Sequence, residues 1–326
     1  MTLSPLQLAA IVSAGVPGIY PVATAAAPEE SAEYDTAIIT DSADRNWRVR
    51  APRNHDASMR LEAEHQVLRS FTHGLRARLP FTVPTIAGTV PYNGMSVFVY
   101  TYVPGTHRDL EELARINRAN NSTLATDLGR LIATLHVMPE DIMIESDLPV
   151  YSSQNLRRRK LSELDRAAST RKVPAELVAH WRAFLEPGPI WDFRTRVVHG
   201  KLGTETISIH NGTVAEVSGW SEVHVGDPAQ DLSWLFACSD TAFTDEVVRV
   251  YSSQMPQIPD QHLVERAEFY AEFALAQWLT HAVEYGDAQM IAHGEQMLQA
   301  VCENLRDSGD MLGQNQPLPE RAEGLE

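Results

Sequence analysis

Apolar positions recur along this chain with two spacings, three-to-four residues and two, and the changes between them mark out the expected elements. Leu6, Leu8, Ile11 and Val12 give a helical stripe over residues 4–14, opened by Ser4 as cap and Pro5 in the first turn. A strand-like stretch and a turn over 25–33 follow. Two strands at 34–40 and 47–51, joined by 41–45, form a hairpin-sized unit. Leu61, Val67, Leu68, Phe71, Leu75 and Leu79 predict a helix over 58–79. Strands are expected at 81–91 and 95–103, with a turn at Asn93-Gly94 and a stop at Pro104-Gly105.

The pattern then becomes mainly helical, over 121–137 (Leu124, Leu128, Leu131, Ile132, Leu135), 152–168 and 173–185. Residues 197–235 interrupt it. Here a strand ends at His199-Gly200, and Asn211-Gly212 turns a hairpin between Ile207/Ile209 and Val214/Val217. Asp227 before Pro228 reads as the cap of a helix start. Helices follow at 229–238, 245–251, 262–285 and 288–305, and the polar, acidic residues 314–326 read as a disordered tail. No internal repeat is present.

Charge and composition narrow the function classes. The 326 residues are 44% hydrophobic and 21% charged, which describes an ordinary globular chain long enough for two domains or one two-lobed domain. A formal charge of −16 argues against nucleic acid or anionic membrane as partners and suits a cationic small molecule, although acidity also serves solubility. The one dense basic run, Arg157 to Lys160, cannot place four charges of a single turn on one face. No aromatic side chains interleave it, so it reads as a solvated helix paired with nearby acids. Cys238 and Cys302 lie in apolar helical patterns, so neither a disulfide framework nor a metal cluster is expected. Residues 1–30 imitate a secretory signal but hold no Lys or Arg, the first being Arg45, so a cytoplasmic location is expected.

The motif order in 197–235 resembles the catalytic segment of the aminoglycoside and macrolide phosphotransferases, which have the protein-kinase-like fold. In that family a strand leads into His-Gly-Asp, an Asn follows five residues after the Asp, and a hairpin comes next. Ile-Asp-Trp and Gly-Asp-Pro-x-x-Asp-Leu complete the order. His199, Gly200, Trp220, Gly226, Asp227, Pro228, Asp231 and Leu232 keep their places here. The stretch 128–136, Leu-Gly-Arg-Leu-Ile-Ala-Thr-Leu-His, is similar to another helix of the family. The resemblance covers about residues 35–279. It implies an α+β, two-lobed protein-kinase-like fold: a small lobe of antiparallel strands with one long helix over 1–103, and a mainly helical lobe over 104–313.

It also implies a site. The resemblance puts Arg50 in the place of the phosphate-contacting base, with Glu64 as its partner and Glu62 as second choice. Thr101 and Val103 would flank a hinge whose backbone bonds adenine. Mg-ATP is the cofactor implied. Without the resemblance, Arg50 and Glu64 are ordinary surface charges.

Three substitutions cut across that picture. Lys201 stands where the family has its catalytic Asp, with His199 beside it as the second catalytic candidate. Thr206 replaces the metal-binding Asn, and Gly219 the metal-binding Asp. Phosphoryl transfer needs a carboxylate to take the hydroxyl proton and oxygen ligands for Mg²⁺, so no metal ligand is assigned. The expectation is a phosphotransferase-like pseudoenzyme that binds a small ligand or a protein. Two alternatives stand beside it: an active or weakly active kinase using Glu205 and Glu222, and a regulatory or structural protein without ligand. Lys201 is expected to pair with Glu205 or Glu222, His136 to cap its helix or bond locally, and Asp227 and Asp231 to be structural. The turn at 25–33 lacks glycine and carries Glu29, Glu30 and Glu33 where phosphates would lie, which weighs against nucleotide.

Overall fold

The computed structural model describes residues 2–27, 31–119, 122–140 and 148–311. The chain divides into two compact units, one of Met1–Tyr151 with Thr195–Leu263, the other of Ser152–Arg194 with Val264–Glu326. Glu29 and Glu30 and the tail over 314–326 lie outside the described residues.

The first unit is built on a five-stranded antiparallel sheet in the order β1-β2-β3-β5-β4, from β1 (Pro21–Ala26), β2 (Tyr34–Asp41), β3 (Asn46–Pro52), β4 (Ile86–Tyr92) and β5 (Met95–Thr101). Strand alternation decides what each face carries. Val49 and Ala51 of β3 and Val97 and Val99 of β5 join a core with Leu8, Val12 and Val16, contributed by α1 (Pro5–Gly15) and its exit. Ser4 opens α1 with the capping box that Gln7 completes. Arg48, Arg50, Phe98 and Tyr100 therefore point to the opposite face.

On that face lies α2 (His55–Ser70), capped by Asn54, whose side chain accepts the Ala57 N–H. The expected helix over 58–79 starts earlier and breaks at Phe71. Thr72 caps a separate short turn, α3 (His73–Arg76), and the Arg76 guanidinium donates to the carbonyls of Leu68 and Phe71 that the helix end leaves unpaired. The expected strand over 81–91 begins only at Ile86, because Thr82 exchanges backbone hydrogen bonds with Ala215 and Val217 instead.

The rest of this unit includes α4 (Leu110–Asn117), α5 (Leu124–His136), β6 (Arg196–Val198), the hairpin β7 (Ile207–His210) and β8 (Thr213–Val217), and β9 (His224–Gly226), which pairs with β6. Asn211 and Gly212 both have positive φ, 50° and 80°, as a tight hairpin turn requires. Asp227 caps a short 3₁₀ turn, Pro228–Asp231, and a second one, Ser233–Ala237, stands where a longer helix was expected.

The second unit holds α6 (Ser153–Ser169) and α7 (Ala175–Phe184). After the last helix of the first unit, α8 (Thr241–Gln254), come α9 (Leu263–Tyr285) and α10 (Ala288–Ser308). Its core is aromatic: Trp181 meets Phe273 edge-on at 5.4 Å, and Phe184 stacks on Phe269 at 4.5 Å. The basic run is spent locally, Arg157 on the Leu185 carbonyl and Lys160 on Glu163, each at 2.8 Å. Both cysteines are buried free thiols. Among the described residues no helix is long and apolar enough to cross a membrane.

Candidate active site

The loop 199–201 is held from behind by one carboxylate. Asp231, fully buried, accepts the backbone N–H groups of His199 at 2.7 Å and Gly200 at 2.9 Å, while His136 Nε2 lies 3.3 Å from it. Burial alone would raise the Asp231 pKa. The hydrogen bond and charge of His136, with the His199 contacts, outweigh that and hold it below the ordinary carboxylate value. His136 Nδ1 lies 3.0 Å from the Tyr251 hydroxyl, so it bridges distant segments and corrects the local role expected for it. Gln230 donates to the Gly200 carbonyl at 2.8 Å and fixes the other side of the loop.

His199 is fully buried against the Trp220 ring, edge-on at 4.7 Å. The Lys201 N–H donates to its Nδ1 at 3.3 Å, so its Nε2 carries the proton and donates to the Ser218 carbonyl at 3.1 Å. Burial lowers its pKa below 6.5, which favours this neutral form. It braces the loop from within, away from the cavity wall.

Thr206 turns its hydroxyl back on its own loop, accepting the Gly203 N–H at 3.0 Å and lying 3.1 Å from the Gly203 carbonyl. Gly219 has φ +80°, and a Cβ there would lie 3.0 Å from Thr206 Cγ2. Its N–H is taken: Glu64, buried on α2, accepts the N–H groups of Gly219 at 2.9 Å and Trp220 at 3.2 Å. The other oxygen of Glu64 accepts the Tyr100 hydroxyl at 3.2 Å. Burial, with the nearby Glu64 charge, pushes the Tyr100 phenol well above 10.0, so it stays a donor. The Arg50 guanidinium lies 6.0 Å from the Tyr100 ring centre and 5.8 Å from that of Tyr34, so Tyr100 links the two residues expected to act together.

A cavity of about 780 Å³ opens over these groups. Arg50, Glu64, Lys201, Glu205, Thr206 and Gly219 all line it, which brings together most of the residues singled out in the sequence. Glu222 is not on this wall. Its backbone carbonyl is 2.7 Å from His224 Nδ1 and also faces Gly200, whose φ is +81°. The ion pair expected between Lys201 and Glu205 or Glu222 does not form, since among the described residues no carboxylate lies within 4.0 Å of the Lys201 ammonium. Thr101 and Val103 lie off this wall too. The Thr101 N–H goes to the Thr85 carbonyl at 2.8 Å, and Tyr102 between them borders a second cavity of about 570 Å³ with Ala25, Ile38 and Ile209.

Several wall residues were not anticipated: Arg60, His107 and Arg108. Arg60 pairs with Glu33, and Arg108 with Glu112 at 2.8 Å. Equally unforeseen is a buried ion pair between Arg48 and Glu216, 2.9 Å apart, with the Arg48 guanidinium 5.7 Å from the Tyr102 ring centre. The period of two along β3 carries its signal: if Arg50 faces inward, Arg48 must as well.

The donor set at 201, 206 and 219 does not fit a magnesium ion, which takes six oxygen ligands, several of them waters held by one or two carboxylates. Lys201 brings a cation, Gly219 no side chain, and the Thr206 hydroxyl is spent on its own loop. Among the described residues no three His, Cys, Asp or Glu side chains come together as a metal site.

Residues 24–256 match the phosphotransferase enzyme family, APH, and the chain belongs to that family. Over 212 residues it is 24% identical to the uncharacterized protein YcbJ of Bacillus subtilis (strain 168), spanning 63% of this chain and 67% of that one. Among solved structures it is similar to the macrolide 2′-phosphotransferase MphH of Brachybacterium faecium, with TM-score 0.72 and 19% identity over 90% of this chain and 98% of that one. It is also similar to the GDP complex of aminoglycoside 2′-phosphotransferase-IIIa, with TM-score 0.76 and 16% identity over 93% and 99% of the two chains. The fold is therefore α+β and kinase-like, as the motif order implied.

Proposed function

We propose that this protein is a phosphotransferase-family pseudoenzyme: it keeps the cleft as a ligand-binding site and has lost metal-assisted phosphoryl transfer. One observation carries this reading. At the three positions where the family places its base and metal ligands stand Lys201, Thr206 and Gly219, and the groups around them are committed to each other, Glu64 to the Gly219 N–H and Thr206 to Gly203. A charged lysine cannot accept the hydroxyl proton, and nothing at 219 can hold a metal.

Structural neighbours include a GDP and kanamycin complex and a streptomycin–ATP ternary complex, so in those proteins the same fold serves a nucleotide and an aminoglycoside. A nucleotide-dependent phosphorylation assay against aminoglycosides, macrolides and small alcohols tests the proposal. The expected result is no transfer above background, and robust turnover by the unaltered chain refutes it. The second reading, a weak kinase with a relocated acid, is favoured by Glu205 lining the same cavity as Arg50. Any transfer found should then vanish in Glu205→Gln. The net charge of −16 supports a cationic compound or a basic protein surface as a partner of the outer surface.

A further inference from the structure

The wall of the larger cavity runs against the charge of the whole chain. The sequence holds 27 Lys and Arg against 43 Asp and Glu, an excess of 16 acids. Among the described residues the wall carries more bases than acids, with Arg50, Arg60, Arg108 and Lys201 facing Glu33, Glu64 and Glu205. Two of those acids are already engaged, and so are two of the bases, Arg60 with Glu33 and Arg108 with Glu112. Glu33 pairs with Arg60, and Glu64 accepts two backbone N–H groups and the Tyr100 hydroxyl. Lys201 is exposed, and among the described residues no carboxylate lies within 4.0 Å of its ammonium.

Charge counting over positions 201 and 219 points the same way. The two carboxylates that the resemblance implies there, with one bound Mg²⁺, sum to about 0, whereas Lys201 with Gly219 presents about +1 unaided. The exchange thus leaves a positive charge for an oxyanion to meet without an ion. An ammonium grips such a group as a point charge, and an arginine adds a planar fork.

We infer that this cavity binds a small multivalent oxyanion, a phosphate or polycarboxylate group, directly on Lys201 with Arg50, and with no divalent cation between them. Glu205, on the same wall, opposes the anion and limits its affinity. The inference rests on the proposed loss of metal-assisted transfer and specifies what the remaining site holds.

Calorimetric titration of the full chain with inorganic pyrophosphate and, separately, with citrate, in EDTA and again in excess Mg²⁺, tests it. Binding of at least one anion in EDTA is expected, weakened by Mg²⁺, which competes for the anion. Lys201→Met should cost about tenfold or more in Kd, as loss of a charge-assisted contact does, and Glu205→Gln should tighten binding. Lys201 is exposed, so its variant should unfold at the same midpoint as the parent. The pyrophosphate and citrate arms tell the phosphate source from the carboxylate one. Binding that requires Mg²⁺, binding unchanged in Lys201→Met, or no heat with either anion overturns the inference. Phosphate transfer from ATP would instead sink the pseudoenzyme reading, whereas a chain inert to ATP and blind to both anions sinks this inference alone.

Discussion

Replacing Asp231 by Asn should cost about 3 kcal/mol of folding free energy, at the low end of what removing one partner of a buried charged pair costs. The structure supplies the reason. Asp231 receives the His199 and Gly200 N–H groups at 2.7 and 2.9 Å and lies 3.3 Å from His136 Nε2. An asparagine keeps one acceptor and turns an NH₂ toward a backbone N–H, so one bond becomes a donor facing a donor and the others lose their charge. In urea unfolding, with m of about 1–3 kcal/mol per molar, the midpoint should fall by about 1–3 M at unchanged m.

The pH dependence provides the second readout. The folded pKa of Asp231 is lowered, so its contribution is present above the unfolded value of about 3.9 and is lost as pH falls through the folded one. The gap between parent and Asp231→Asn should therefore close as pH drops below about 4. A gap under about 0.5 kcal/mol at pH 7, within the range of a surface substitution, would refute the reasoning. So would one unchanged to the lowest pH at which both chains fold.

Glu64→Ala should lose about 2–4 kcal/mol in the same assay, because the Gly219 and Trp220 N–H groups and the Tyr100 hydroxyl lose their acceptor, and Glu64→Gln should recover part of it. Gly219→Ala should cost about 1–2 kcal/mol for its left-handed backbone. Gly200→Ala should cost more, measured as a larger fall in midpoint, since its Cβ would meet the Glu222 carbonyl at 2.3 Å as well. His199 has a lowered pKa, so its contribution is complete above about pH 6.5 and is lost as pH falls below that. The slope of stability against pH just below about 6.5 should flatten in His199→Asn.

Much of the fold was legible because its signals are local. Asn93-Gly94 and Asn211-Gly212 turn where the sequence places them, both asparagines having φ of 50°, and Asp227 caps its turn. The kinase-like class followed from motif order, and the cavity does gather Arg50, Glu64, Lys201, Thr206 and Gly219. What was not legible depends on contacts distant in sequence. Phe71 ends α2 because Arg76 and Trp220 hold it there, at 4.9 Å from the Trp220 ring centre, and no periodicity reports that. His136 reaches Asp231 and Tyr251 across 95 and 115 residues. The Arg48–Glu216 pair spans 168 residues, beyond any local window.

The brace behind the loop has an implication for protein engineering. Asp231, backed by His136, and Gln230 grip residues 199 and 200 through main-chain atoms, and their hydrogen bonds leave the side chain at 201 aside. That position is a socket: different heads can be mounted there while the bracket stays put. A saturation library at residue 201 would sample new binding preferences at little risk to the scaffold, which makes this loop a convenient chassis for building recognition sites.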